Sequence, residues 1–134
     1  MANEWKWKRG PKVTCRVTTA DTVTKGEPVY ISSNVATACA DGGSVDLVAA
    51  EDISSGAVGL FIKPLGDIFE VKVATGTDLA EFARVYLAAN YTVDAGAAGQ
   101  TSQAHCVDYN PASGGCALIS VMSALAHPLT YGGT

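Results

Sequence analysis

Three segments of this chain recur in the same order. Val29-Tyr30-Ile31-Ser32-Ser33-Asn34 returns as Val85-Tyr86-Leu87-Ala88-Ala89-Asn90. The stretch 57–64 is echoed by 104–111, each ending in proline, and Ile68–Val73 is echoed by Cys116–Val121. The separations are 56, 47 and 48 residues, so loop lengths differ while strand order holds. Self-similarity in fixed order implies two supersecondary units that bury their faces against each other. The shared residues are apolar or small, and no nucleophile, base or ligand set repeats with them. What duplicates is scaffold.

The runs between these echoes read as short strands. Val13, Cys15 and Val17 alternate with Lys12, Thr14 and Arg16, which marks a half-buried strand. Pro28 suits the first position of the next strand. Turns fall at 25–28, 41–43 and 54–56, and Lys63-Pro64-Leu65-Gly66-Asp67 reads as a hairpin between 58–62 and 68–74. Residues 78–83 read as a short helix or turn, followed by a strand from Arg84 to Leu87. The expected fold is all-β with at most one short helix. It is a barrel-like roll of two degenerate repeats, formed by one domain over residues 12–134. A chain of 134 residues is long enough to bury one core without staples.

No apolar run approaches the ~20 residues of a membrane-spanning helix. Residues 1–7 lack the apolar stretch of a secretory signal. The expected compartment is therefore a reducing cytoplasm. The four cysteines, Cys15, Cys39, Cys106 and Cys116, form no C-x-x-C pair, and free thiols are the default there. Cys106 and Cys116 flank the last turn, which leaves a disulfide or two reduced thiols open.

Catalytic patterns are missing. His105 and Cys106 are adjacent in a strand and so face opposite sides. The carboxylate pairs Asp67/Glu70, Glu51/Asp52 and Asp78/Glu81 read as solvated turns. No catalytic, cofactor or metal residue is expected, and the chain reads as a non-enzyme.

Only 16% of residues are charged, against a usual ~25%, and the charge is unevenly placed. Residues 1–12 carry Lys6, Lys8, Arg9 and Lys12 against Glu4, a net of +3. Residues 13–134 carry five basic and twelve acidic side chains, a net of −7. Residues 1–11 read as a basic, aromatic N-terminal arm. In an extended Trp5-Lys6-Trp7-Lys8-Arg9 the tryptophans face one way and the lysines the other. Trp5, Lys6, Trp7, Lys8, Arg9 and Lys12 are the candidate partner-binding residues. The arm can add as a strand to a protein partner, stack on nucleic acid, or pack on its own barrel. A body of −7 repels DNA, which ranks nucleic acid last.

Further motifs carry a family resemblance. Lys25-Gly26-Glu27-Pro28-Val29-Tyr30 is followed by Ala57-Val58-Gly59 and Gly66-Asp67, with a degenerate copy at Arg84-Val85-Tyr86. Over roughly residues 12–122 the chain resembles tailed-phage head decoration proteins, the capsid-cementing proteins of the lambda type and their relatives. It departs from them where Cys106 stands in the place of Gly59, and in its aromatic, basic arm. The resemblance implies a β-tulip domain that forms homotrimers. It also implies binding to the major capsid protein on the outside of the head, an arm that orders on the capsid, and a virion location after synthesis in the host cytoplasm. It implies no cofactor, nucleic acid or membrane. The rival class is a cytosolic β-barrel binding module for a small ligand or nucleic acid.

Overall fold

The computed structural model describes residues 3–39, 43–74, 79, 82–95, 104–110 and 115–126. The chain is all-β, as expected. Five strands close a barrel: β2 (Val13–Thr19), β3 (Pro28–Ser32), β4 (Val35–Ala38), β5 (Leu47–Ala49) and β6 (Val58–Lys63), in the order β2-β4-β3-β5-β6. Antiparallel pairing of β2 with β6, from Val13–Lys63 to Thr18–Val58, completes the circle. The other six strands form one sheet: β1 (Lys6–Arg9), β7 (Leu65–Lys72), β8 (Arg84–Leu87), β9 (Val93–Asp94), β10 (Ala104–Asn110) and β11 (Cys116–Met122). Their order is β1-β7-β11-β10-β8-β9. Alternation in the sequence drives these faces. Asp67, Phe69 and Val71 of β7, and Ala117, Ile119 and Val121 of β11, are buried while their neighbours are not.

There are two apolar cores. Val23, Val29, Ala36, Leu47, Ala49, Ile53 and Phe61 fill the barrel. Val48 and Ile62 point out of it onto the six-stranded sheet. There they join Trp5, Phe69, Val71, Val85, Cys106, Ile119 and Val121. Adjacent residues of β5 and β6 thus serve different cores, because successive strand side chains take opposite faces.

The barrel contains an internal two-fold that differs from the echo read in the sequence. The Gly56 N–H donates to the Thr19 carbonyl at 2.8 Å, and the Gly26 N–H donates to that of Ala49 at 2.8 Å. Thr19 N–H bonds Ala57 at 3.0 Å, and Ala49 N–H bonds Glu27 at 2.9 Å. On the axis Val23 and Ile53 exchange both backbone bonds, at 2.9 and 2.7 Å. Every equivalence is spaced by 30 residues, so β2-turn-β3 matches β5-turn-β6. The three echoed segments are not two copies of one unit. β3 and β6 lie in the barrel and β7 in the sheet, whereas β8, β10 and β11 share the sheet. The first echo is a local likeness only. In both places a strand runs into a left-handed turn, at Ser33-Asn34 (φ 52° and 64°) and at Asn90-Tyr91 (φ 56° and 60°), and returns antiparallel.

Two further expectations change. Residues 63–67 are not a hairpin. Pro64 alone separates β6 from β7, and one residue cannot reverse a strand into its neighbour. The chain instead crosses there from barrel to sheet. Cys106 lies opposite Ile119 while Cys116 lies opposite Asn110. That offset of three residues is ~10 Å along the strand, beyond disulfide reach, and all four cysteines are free. Half of the short helix or turn expected at 78–83, namely Asp78, Ala80 and Glu81, lies outside the described residues. So do His127 and the final turn around Pro111.

Candidate functional site: a basic groove beside the N-terminal strand

The N-terminal segment is not a loose arm. Residues 6–9 form β1, an edge strand on β7 with Lys6 opposite Glu70 and Trp7 opposite Phe69. A bulge before Arg9 shifts the register. Trp5 is 3% exposed. Its ring lies 6.1 Å from that of Phe69 at 56°, a tilted pairing of the kind aromatic quadrupoles favour. Its indole N–H donates to the Tyr91 carbonyl at 2.8 Å. Trp7 is half-buried and donates from Nε1 to Asp67 Oδ2 at 2.9 Å. The two tryptophans face the body, as alternation requires, and the partner they meet is their own chain.

The cations are distributed differently. Lys6, Lys8, Arg9 and Lys12 are exposed. Lys8 Nζ stands 3.6 Å from Glu70, and Lys12 Nζ stands 4.5 Å above the Trp7 ring. The Lys12 backbone N–H also donates to Asp67 Oδ2 at 2.9 Å. Lys6 has no ion pair among the described residues.

Gly26, in the turn before the barrel's β3, holds the segment down. Its carbonyl accepts the Trp5 N–H at 2.9 Å, and its φ is +83°. A Cβ on Gly26 would overlap the Glu4 side chain and stand 3.0 Å from the Trp5 backbone. Its two-fold mate Gly56 has φ +80° but open space around it. Gly56→Ala is expected to cost only the left-handed backbone term, about 1–2 kcal/mol. Gly26→Ala adds a steric term and is expected to cost at least ~1 kcal/mol more. Urea melts of the pair check this, and equal costs would show that Glu4 and Trp5 do not press on Gly26.

Between β1 and the barrel runs a groove of about 380 Å³. Residues 4–8 form one wall, and Lys12, Lys25, Gly26, Ala49, Ala50 and Ile62 complete it. Lys25 is exposed and, like Lys6, lacks an ion pair among the described residues. Sequence reasoning found Lys6, Lys8 and Lys12 but missed Lys25. Lys25 joins them only because the turn containing Gly26 docks on Trp5.

Three groups elsewhere in the fold are shifted toward their neutral forms. Burial and the Glu27 carboxylate push the Tyr91 phenol up to about 12. Its hydroxyl donates to Glu27 Oε2 at 3.3 Å, while Thr24 donates to Oε1. Burial, then Asp46 and Glu27, push the Cys39 thiol up to about 12. Burial also raises Cys15, against the lowering effect of Lys63. Thiols shifted this way are poor nucleophiles. His105 is exposed and Cys106 fully buried, so the neighbours do face opposite sides of β10. No group of three His, Cys, Asp or Glu among the described residues is placed to hold a metal ion.

The raised phenol makes a prediction. Tyr91 favours its neutral form in the fold, so its contribution to stability is complete below its ordinary value of 10.0 and is lost as pH rises through about 12. An ultraviolet titration of the five tyrosines should show one late step that Tyr91→Phe removes. A late step that survives the substitution would assign it to another residue.

Comparison with known proteins gives a fold and no family. No family model matches this chain, and no curated protein matches it. Among solved structures it is similar to the head fiber gp8.5 N base of bacteriophage phi29. The TM-score is 0.57 at 14% identity, over 81% of this chain and 92% of that one. No helix among the described residues is long and apolar enough to cross a membrane.

Proposed function

We propose that this chain is a non-enzymatic structural protein of a phage virion, attached to the outside of the head. The observation that carries the reading is the shared architecture with a phage head fiber base, matched over nearly all of that domain. Two features support it. The segment with the strongest interaction character is built into the body as an edge strand beside a basic groove. Cys106 is fully buried, and burial pushes the Cys15 and Cys39 thiols toward their protonated forms.

The finer reading comes from the family resemblance. The chain acts as a homotrimer that bridges neighbouring copies of the major capsid protein. Many modest contacts around a shell would then add as avidity. Light scattering at micromolar concentration should return a mass near three chains, free or on heads. A strict monomer in both states removes the cementing role and leaves a fiber-base or other head attachment. A protein that stays in the lysate and copurifies with a small ligand would instead establish the cytosolic binding module.

A further inference from the structure

We propose that the groove between β1 and the barrel binds an extended acidic peptide segment of a protein partner, with carboxylates paired to Lys6 and Lys25. The proposal rests on the head-attachment reading for where that partner is found, and on the groove's own shape and charge for what it is.

Shape comes first. The Glu4–Lys8 wall is five residues of extended chain, so the groove is ~16 Å long. Its volume of about 380 Å³ lies at the small end of ligand sites. A short extended peptide fits such a slot, whereas a folded domain or a duplex does not.

The charge of the lining is mainly basic. Lys6, Lys8, Lys12 and Lys25 line the groove on a chain of net charge −4. Lys8 is shared with Glu70, and Lys12 sits over Trp7. Lys6 and Lys25 remain without an ion pair among the described residues. Three acidic groups face the same region, Glu70 beside Lys8 being the first. Glu4 lies across Gly26, and Asp52 accepts the Lys25 backbone N–H at 2.8 Å. The cations outnumber them on the wall, and a carboxylate ligand gains where a cation ligand would lose.

The floor is apolar. Ala49 and Ile62 lie almost fully buried beneath it, so its apolar contact for side chains between the carboxylates comes from half-buried Ala50 and Trp7. That mixture suits acidic residues interleaved with aliphatic ones. A nucleic acid would meet the −7 of the remaining body outside the slot.

The test titrates the full-length protein with a fluorescein-labelled peptide alternating Glu and Leu. Its Gln-for-Glu analogue, a DNA duplex and inorganic phosphate are the competitors. The acidic peptide should bind at low salt and weaken as salt rises. The double variant Lys6→Glu/Lys25→Glu should lose about tenfold in affinity, in line with two surface pairs reversed in sign. Lys72→Glu/Arg84→Glu, an equal charge change on exposed residues outside the groove, should change affinity less than about twofold. Matching urea midpoints establish that both variants fold. The proposal is overturned if the Gln analogue binds as well, if both double variants lose equally, or if DNA or phosphate displaces the peptide at lower concentration. Peptide binding without any presence in virions would remove the head reading and keep the groove. Virion attachment unaffected by Lys6→Glu/Lys25→Glu, with no peptide binding, would do the reverse.

Discussion

Trp5→Ala is expected to destabilise the protein by about 3–5 kcal/mol, the usual cost of truncating a core aromatic. The ring is 3% exposed, pairs with Phe69, and ties the Tyr91 carbonyl through its indole N–H. Its loss opens a cavity beneath the six-stranded sheet and orphans that carbonyl. Deleting residues 2–9 should cost at least as much, because β1 goes with it. Lys6→Ala, on the exposed face of the same strand, should fall within about 0.5 kcal/mol of the parent. Urea denaturation with circular dichroism measures all three. A truncated protein as stable as the full chain would show that residues 3–9 are an appendage after all.

The second large effect is at Asp67. This carboxylate is fully buried and accepts three hydrogen bonds: from Trp7 Nε1 at 2.9 Å, Lys12 N–H at 2.9 Å and Leu65 N–H at 2.8 Å. Asp67→Ala leaves three donors without their acceptor. Each buried orphan costs about 1–3 kcal/mol, less where water reaches it, so the total should be about 3 kcal/mol or more. The site also fixes the bend before β2. Gly10 has φ +137°, and a Cβ there would stand 2.7 Å from the Asp67 carboxylate. A double-mutant cycle isolates the link to the N-terminal strand. Trp7→Phe should be costly in the parent and nearly free in the Asp67→Ala background. Additive costs would mean that the indole N–H and the carboxylate do not depend on each other.

Much of the strand content was legible. β8 falls on Arg84–Leu87, and the alternation of Ile68–Val73 and Cys116–Val121 marks β7 and β11 with their faces correct. Connectivity was less legible. Two alternating runs flanking Lys63-Pro64 look like a hairpin whether the chain reverses or crosses between sheets. The single-residue spacing is the signal that decides for the crossing. The true repeat was also present in the residues, as Asp21-Thr22-Val23-Thr24-Lys25-Gly26 against Glu51-Asp52-Ile53-Ser54-Ser55-Gly56. It shares one identity and several like pairs. The more visible Val-Tyr echo outweighed it, although that echo records only a shared strand-and-turn.

The sequence leaves the place of the N-terminal segment open for a physical reason. Its +3 charge made it look foreign to an acidic body, and charge says nothing about where an indole ring goes. The acceptors that hold Trp5 and Trp7 are 86 and 60 residues away, and no local pattern announces them. The groove inherits that difficulty. Lys25 meets Lys6 only through the contact of Gly26 with Trp5.

The most direct test of the proposed head attachment is quantitative mass spectrometry of virions purified from a phage lysate that contains this chain, with heads separated from tails. The protein is expected in the head fraction, at a fixed high copy number relative to the major capsid protein, and accessible to protease on intact heads. Its absence from virions, with the protein recovered only from the soluble lysate, would contradict it.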